Sequence, residues 1–171
     1  MIRPCKPSDL GEIVSIINDG AKAYKDVIPN DCWHEPYMSG ESLQKDIENR
    51  VNFYIFEQDG LAAGVMGIQD FPEVTLIRHA YTRTAFQKKG VGATLLQYLL
   101  KLTDKPVLIG TWASTPWSIH FYSKYGFTVL PKNIAAELLL KYWPLTTDRH
   151  REVSVVLADK KWFFSKQIGS I

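Results

Sequence analysis

Residues 87 to 92 read Gln-Lys-Lys-Gly-Val-Gly, a run that combines missing Cβ atoms with positive charge. Gly90 and Gly92 let main chain approach a ligand closely. A helical pattern starts at Gly90, so unpaired N–H groups and the positive end of a helix dipole fall at the same place. Such a site suits an anion, most obviously a pyrophosphate, and Lys88 and Lys89 strengthen the field. Other phosphate loops fit poorly. A Walker loop needs GxxxxGK followed by Ser or Thr. A dinucleotide fingerprint needs a third glycine where Leu95 stands. On these residues alone, a tight turn without a ligand is the commoner meaning of a GxG.

A second segment, Trp117-Ser118-Ile119-His120-Phe121-Tyr122-Ser123-Lys124-Tyr125-Gly126-Phe127, changes the balance. Together the two segments resemble the GNAT superfamily of N-acyltransferases. That family carries Gln or Arg-x-x-Gly-x-Gly or Ala between its fourth strand and third helix, matched by Gln87, Gly90 and Gly92. Its recurrent Phe-Tyr-x-x-x-Gly-Phe is matched by Phe121, Tyr122, Gly126 and Phe127. Two positions depart from the pattern. Thr82-Arg83-Thr84 stands where Val-x-Pro is frequent, and Thr115 where an Asn often touches cofactor.

The resemblance implies an α/β (α+β) GNAT fold: a mixed, mostly antiparallel central sheet splayed between strands 4 and 5, with helices on both faces. It implies acetyl-CoA as cosubstrate, threaded between 74–82 and 106–112, and no metal. Main-chain groups of Tyr81, Thr82 and Arg83 would pair with the pantetheine arm. Amides from Gln87 through Lys88, Lys89, Gly90, Val91 and Gly92 to Ala93 would hold the pyrophosphate, with Thr115 a further cofactor contact. A backbone N–H near 80–82 would polarise the thioester carbonyl.

The implied reaction is direct attack of a primary amine on the thioester, with Tyr122 as acid to the departing thiolate. A lysine-like ammonium, with a pKa near ~10.4, must first lose a proton. His79 and Glu73 are the candidate bases, and at most one is expected to face the amine. The alternative is an acyl-CoA-binding regulator that kept the pocket and lost catalysis.

These groups need a scaffold, and the periodicity predicts one. A strand is expected over 1–5, then a helix over 8–25 with Ile13, Val14, Ile16 and Ile17 on one side. An aromatic loop covers 27–38, and a second helix runs from Ser39 or Gly40 to near Arg50. Strand patterns over 52–58 and 61–69 flank Asp59-Gly60, a hairpin signal. A strand over 74–82 follows the Phe71-Pro72 break. Helix over 90–103, strand over 106–112 and helix over 117–125 come next, with Thr115 as N-cap and Pro116 at the first position. A strand over 127–130, a helix over 133–142 and a strand over 153–158 complete the reading. One domain is expected over 1–171, its core over 1–158 and a tail over 159–171.

The chain has 171 residues and a formal charge of +2, which argues against a general nucleic-acid coat. Cys5 and Cys32 form no CxxC pair, so a reduced, cytoplasmic setting is expected. Cys32 and His34 have no second ligand pair at metal spacing. Trp33, His34, Glu35 and Tyr37 could line an acceptor mouth or form an ordinary surface loop. No apolar stretch follows Met1-Ile2-Arg3-Pro4, so neither a signal peptide nor a membrane partner is expected. Lys160-Lys161-Trp162-Phe163-Phe164 suggests a tail that packs on the domain or on a second subunit, leaving a homodimer open. The acceptor is expected to be a small-molecule or peptide amine.

Overall fold

The computed structural model describes residues 1–168. The strands are β1 (Ile2–Pro4), β2 (Val51–Gln58), β3 (Leu61–Asp70), β4 (Thr75–Thr82), β5 (Val107–Trp112), β6 (Thr128–Val129) and β7 (Ser154–Ala158). They form one seven-stranded sheet in the order β1-β2-β3-β4-β5-β7-β6. β4 and β5 run parallel, and each other neighbouring pair is antiparallel.

Asp59 and Gly60 close the β2–β3 hairpin with φ of 53° and 75°. Both left-handed values suit a tight hairpin turn, which is why Asp-Gly signals one. Helix α1 (Leu10–Ala21) buries Ile13, Ile16, Ile17, Gly20 and Ala21, the spacing of a single helical face. It packs with α2 (Gly40–Glu48) on one side of the sheet. Ser39 caps α2 by accepting the Ser42 N–H at 3.0 Å. Helix α5 (Lys132–Tyr142) covers the same side further along, beneath Leu76, Leu108 and Val156. Helices α3 (Val91–Leu100) and α4 (Pro116–Lys124) cover the opposite side, over Met66, Ile77 and Ile109.

β4 breaks the regularity. Its residues Arg78 and Tyr81 pair with Gly67 and Val65, so His79 and Ala80 together oppose Met66 alone. This β-bulge gives His79 a φ of 51°, a left-handed value that costs a non-glycine residue roughly 1–2 kcal/mol. The extra residue also reverses the strand's alternation. Ile77 packs with α3, yet Tyr81, four residues on, packs with α1. β4 pairs with β5 only from Thr75 to Ile77, opposite Val107 to Ile109. Beyond the bulge the two strands part, and the expected splay is present.

Several boundaries differ from the sequence reading. The first helix starts at Leu10 after a 3₁₀ turn over Pro7–Asp9, and ends at Ala21 before another over Lys22–Tyr24. Helix α3 stops at Leu100, and the strand expected over 127–130 shortens to Thr128–Val129. Two helices were not anticipated, α6 (Asp148–Glu152) and α7 (Lys160–Ile168). The segment read as a tail is therefore helical, and Trp162 is buried against the α5 side of the sheet. Its last residues, 169–171, lie outside the described ones. No described helix is long and apolar enough to cross a membrane.

Candidate active site

A cleft of about 790 Å³ runs between β4, α3 and α4. Its phosphate end is the start of α3. The first bond of that helix is Thr94 N–H to Gly90 O, at 2.9 Å. The N–H groups of Val91, Gly92 and Ala93 therefore have no intrahelical acceptor. Gly90 sits at φ 81° and Lys88 at φ 60°, turning the chain so that these amides open on the cleft. A Cβ at Gly92 would come no nearer than 3.6 Å to Phe121 and 3.8 Å to Thr82. Packing does not forbid a side chain there, so the missing one leaves space at the cradle. The fit to a pyrophosphate is good. Further in, Val65, Met66, Ala80 and Phe121 give the cleft an apolar wall suited to a flexible thiol arm.

A second cavity, of about 260 Å³, lies on the other side of the parted strands. Tyr24, Ala80, Tyr81, Ser118 and Tyr122 line both spaces, so the two meet where β4 leaves β5. The Tyr24, Tyr37 and Tyr81 rings pack around this junction with centroids 5.8 to 6.2 Å apart. The Tyr37 hydroxyl accepts from Trp112 Nε1 at 3.1 Å.

Tyr122 is buried between Phe121 and Phe127, at centroid distances of 5.1 and 6.2 Å. Desolvation pushes its phenol above the usual value, so it is a donor throughout the neutral range. Among the described residues none pairs with its hydroxyl.

His79 lines the second cavity, stacked at 5.6 Å against Phe53. Its Nε2 lies 2.9 Å from Asp46 Oδ2, a close polar contact without the alignment of a hydrogen bond. Burial pushes the Asp46 carboxyl up, but the facing His79 and Arg78 outweigh that and hold it below its ordinary value. Strict alternation would set Glu73 and His79, six apart, on one face; the bulge removes that relation.

Three expectations need correction. Glu73 is at the far end of β4, where Lys141 and Tyr142 donate to it at 3.1 and 2.8 Å, away from both cavities. Thr115 is fully buried, and its hydroxyl donates to Trp112 O at 2.9 Å instead of capping α4 or entering the cleft. Arg83 spends its N–H on Ala63 O, and its guanidinium on Ala62 O, Ser15 and Glu12. The Lys89 ammonium lies over the Phe86 ring, 5.3 Å away, a side-chain placement that leaves the expected role of its amide untouched. Tyr81, Thr82, Gln87, Lys88, Gly90, Val91, Gly92 and Ala93 line the cleft. From the aromatic loop, His34 and Tyr37 line the second cavity with Cys32, whereas Trp33 and Glu35 do not.

Sequence reasoning missed Arg78, His150 and Arg151, all on the wall of the second cavity. His150 stacks on Trp112 at 4.0 Å. Burial first, then the neighbouring His34 and Arg151, lower its pKa below the ordinary histidine value. Arg78 had the look of an ordinary strand residue, and the other two sit in a five-residue helix too short for a periodic signal.

A model of the acetyltransferase (GNAT) domain family matches residues 18–142. Among solved structures, the PaiA N-acetyltransferase of Thermoplasma acidophilum, in complex with coenzyme A, is similar. It has a TM-score of 0.70 and 18% identity over 94% of this chain and 98% of that one. The ribosomal-protein-S18-alanine N-acetyltransferase of Escherichia coli follows with TM-score 0.64 and 17% identity, covering 93% and 92%. A GNAT-family acetyltransferase of Staphylococcus aureus has TM-score 0.67 and 15% identity, covering 93% and 97%. A search of curated protein sequences found no match.

Proposed function

Because this chain belongs to the GNAT acetyltransferase family, we propose that it moves an acetyl group from acetyl-CoA to a primary amine. One observation carries the reading: the cleft and the second cavity join at Ala80, Tyr81 and Tyr122. A thioester laid along the cleft reaches an amine at that junction. The free amides of α3 take the diphosphate, and the apolar wall takes the thiol arm. That a similar fold was solved with coenzyme A supports the donor.

The nitrogen attacks the thioester carbon, the new N–C bond forms and the C–S bond breaks. Tyr122 protonates the sulfur as it leaves. His79, held by Asp46 at Nε2, takes the amine proton through Nδ1, the ring nitrogen left over. Glu73 and Thr115 have no part in this scheme.

The test couples calorimetry to thiol release. Acetyl-CoA and CoA should compete for one site, and thiol release should depend on an added amine. No binding of either would end the proposal. Binding without turnover on any amine would favour the regulator that senses acyl-CoA.

A further inference from the structure

The residues that line the second cavity include Arg78, Arg151, His34, His79 and His150. No carboxylate lines it among the described residues. Asp46 is buried outside the lining, where Arg78 (3.3 Å) and His79 (2.9 Å) share it. Arg78 also donates to Gln69 Oε1 at 3.1 Å. Arg151 is held by Thr146 and by Asp148, whose side chain is 91% exposed and screened by water. Among the described residues the lining itself thus offers two arginines and no carboxylate, the acids that pair with them lying outside it. A cavity that received a plain amine or a polyamine, cationic before reaction, would be expected to offer carboxylates instead.

We propose that the acceptor is a small amine that also carries an oxyanion, a carboxylate or a phosphate, seated against Arg78 and Arg151. The inference rests on the acetyltransferase reading above and specifies its acceptor. Planar guanidinium groups match either oxyanion with paired N–H donors. The volume, about 260 Å³, is at the small end for ligand cavities and suits a molecule of amino-acid size. The oxyanion is fixed at the arginines, and the amino group is left to point toward His79 and the junction.

The experiment measures thiol release from acetyl-CoA with matched acceptors. One arm pairs amino acids with their α-amides, the other pairs phosphoethanolamine with ethanolamine, and putrescine is the cationic control. The acidic member of a pair should exceed its neutral partner by about ten-fold or more in kcat/KM, because only the oxyanion gains charge-assisted contacts with the two arginines. The productive arm identifies carboxylate or phosphate. Arg151→Gln and Arg78→Gln should raise KM for that acid with little change in kcat, while the Kd for CoA, which also reports folding, stays unchanged. Equal or better turnover of amides or putrescine overturns the acidic acceptor and leaves the acetyltransferase standing. Should no acceptor turn over, calorimetry with the CoA-saturated protein decides. Heat from N-acetyl amino acids or phosphoethanolamine, absent with N-acetyl amides, supports the inference; no heat from either acid overturns it. Failure to bind CoA at all is the separate failure of the donor site.

Discussion

Tyr122→Phe separates chemistry from packing. The ring is enclosed by Phe121 and Phe127, contacts that phenylalanine would keep. Its hydroxyl pairs with no described group, so its loss orphans no partner. The stability change should stay within about 0.5 kcal/mol, which for a chain of this size is a Tm shift of roughly 1–2 °C. The rate should behave otherwise. General acids contribute typically ~10²–10⁴-fold, but a thiolate, with a parent pKa near ~8.5, needs less help than an alkoxide. A fall in kcat of about 10- to 100-fold is expected, roughly 1.4–2.7 kcal/mol of barrier. Burial raises the phenol's pKa, so it stays protonated across neutral pH, and its loss should scale the pH profile without moving it. Stopped thiol-release assays, a CoA titration and a melting curve make the measurement. Unchanged kcat, or a loss confined to CoA affinity, would refute the assignment; a Tm drop of about 5 °C or more would make the hydroxyl structural.

Two further outcomes probe the scaffold. A Cβ at Gly64 would stand 2.6 Å from Val91 Cγ1 and 3.1 Å from Tyr81 O. Gly64→Ala should therefore destabilise by about 1–3 kcal/mol through overpacking, and a melting curve matching the parent's would refute that account. Arg3, through side-chain hydrogen bonds, and the Lys6 amide hold the Asp9 carboxyl down at about 2, below its ordinary 3.8. A depressed carboxyl contributes stability that is present above its unfolded value and lost as pH falls through the folded one. Urea unfolding should show the deficit of Asp9→Asn at pH 5–7 shrinking between about pH 4 and 2; a constant deficit would exclude the linkage.

The proposed donor half of the site could be read from the sequence because its parts are local. The turn before α3, the two glycines and the free amides lie within residues 87–93, and Tyr122 lies within one short helix. A repeating helical face similarly revealed α1, and Asp59-Gly60 the hairpin. The acceptor half is not local. It gathers Arg78 and His79 from β4, Trp112 from β5, and His150 and Arg151 from a five-residue helix, with Asp46 of α2 behind them. The bulge turns His79 to the cavity that Arg78 lines, and Arg78-His79-Ala80 contains no glycine or proline to announce it. That extra residue changes which face every later side chain of β4 takes. It sends Tyr81 toward α1, leaves Ala80 toward α3, and coincides with the end of pairing to β5. The opening between the strands therefore begins beside one backbone feature, and α6 supplies the rest of the charged groups around it. A donor site built from contiguous amides can be shared by chains with different acceptors. The proposed acceptor wall depends on which residues the bulge and the short helix bring to it, and in this chain those include two arginines and three histidines with no carboxylate among the described residues.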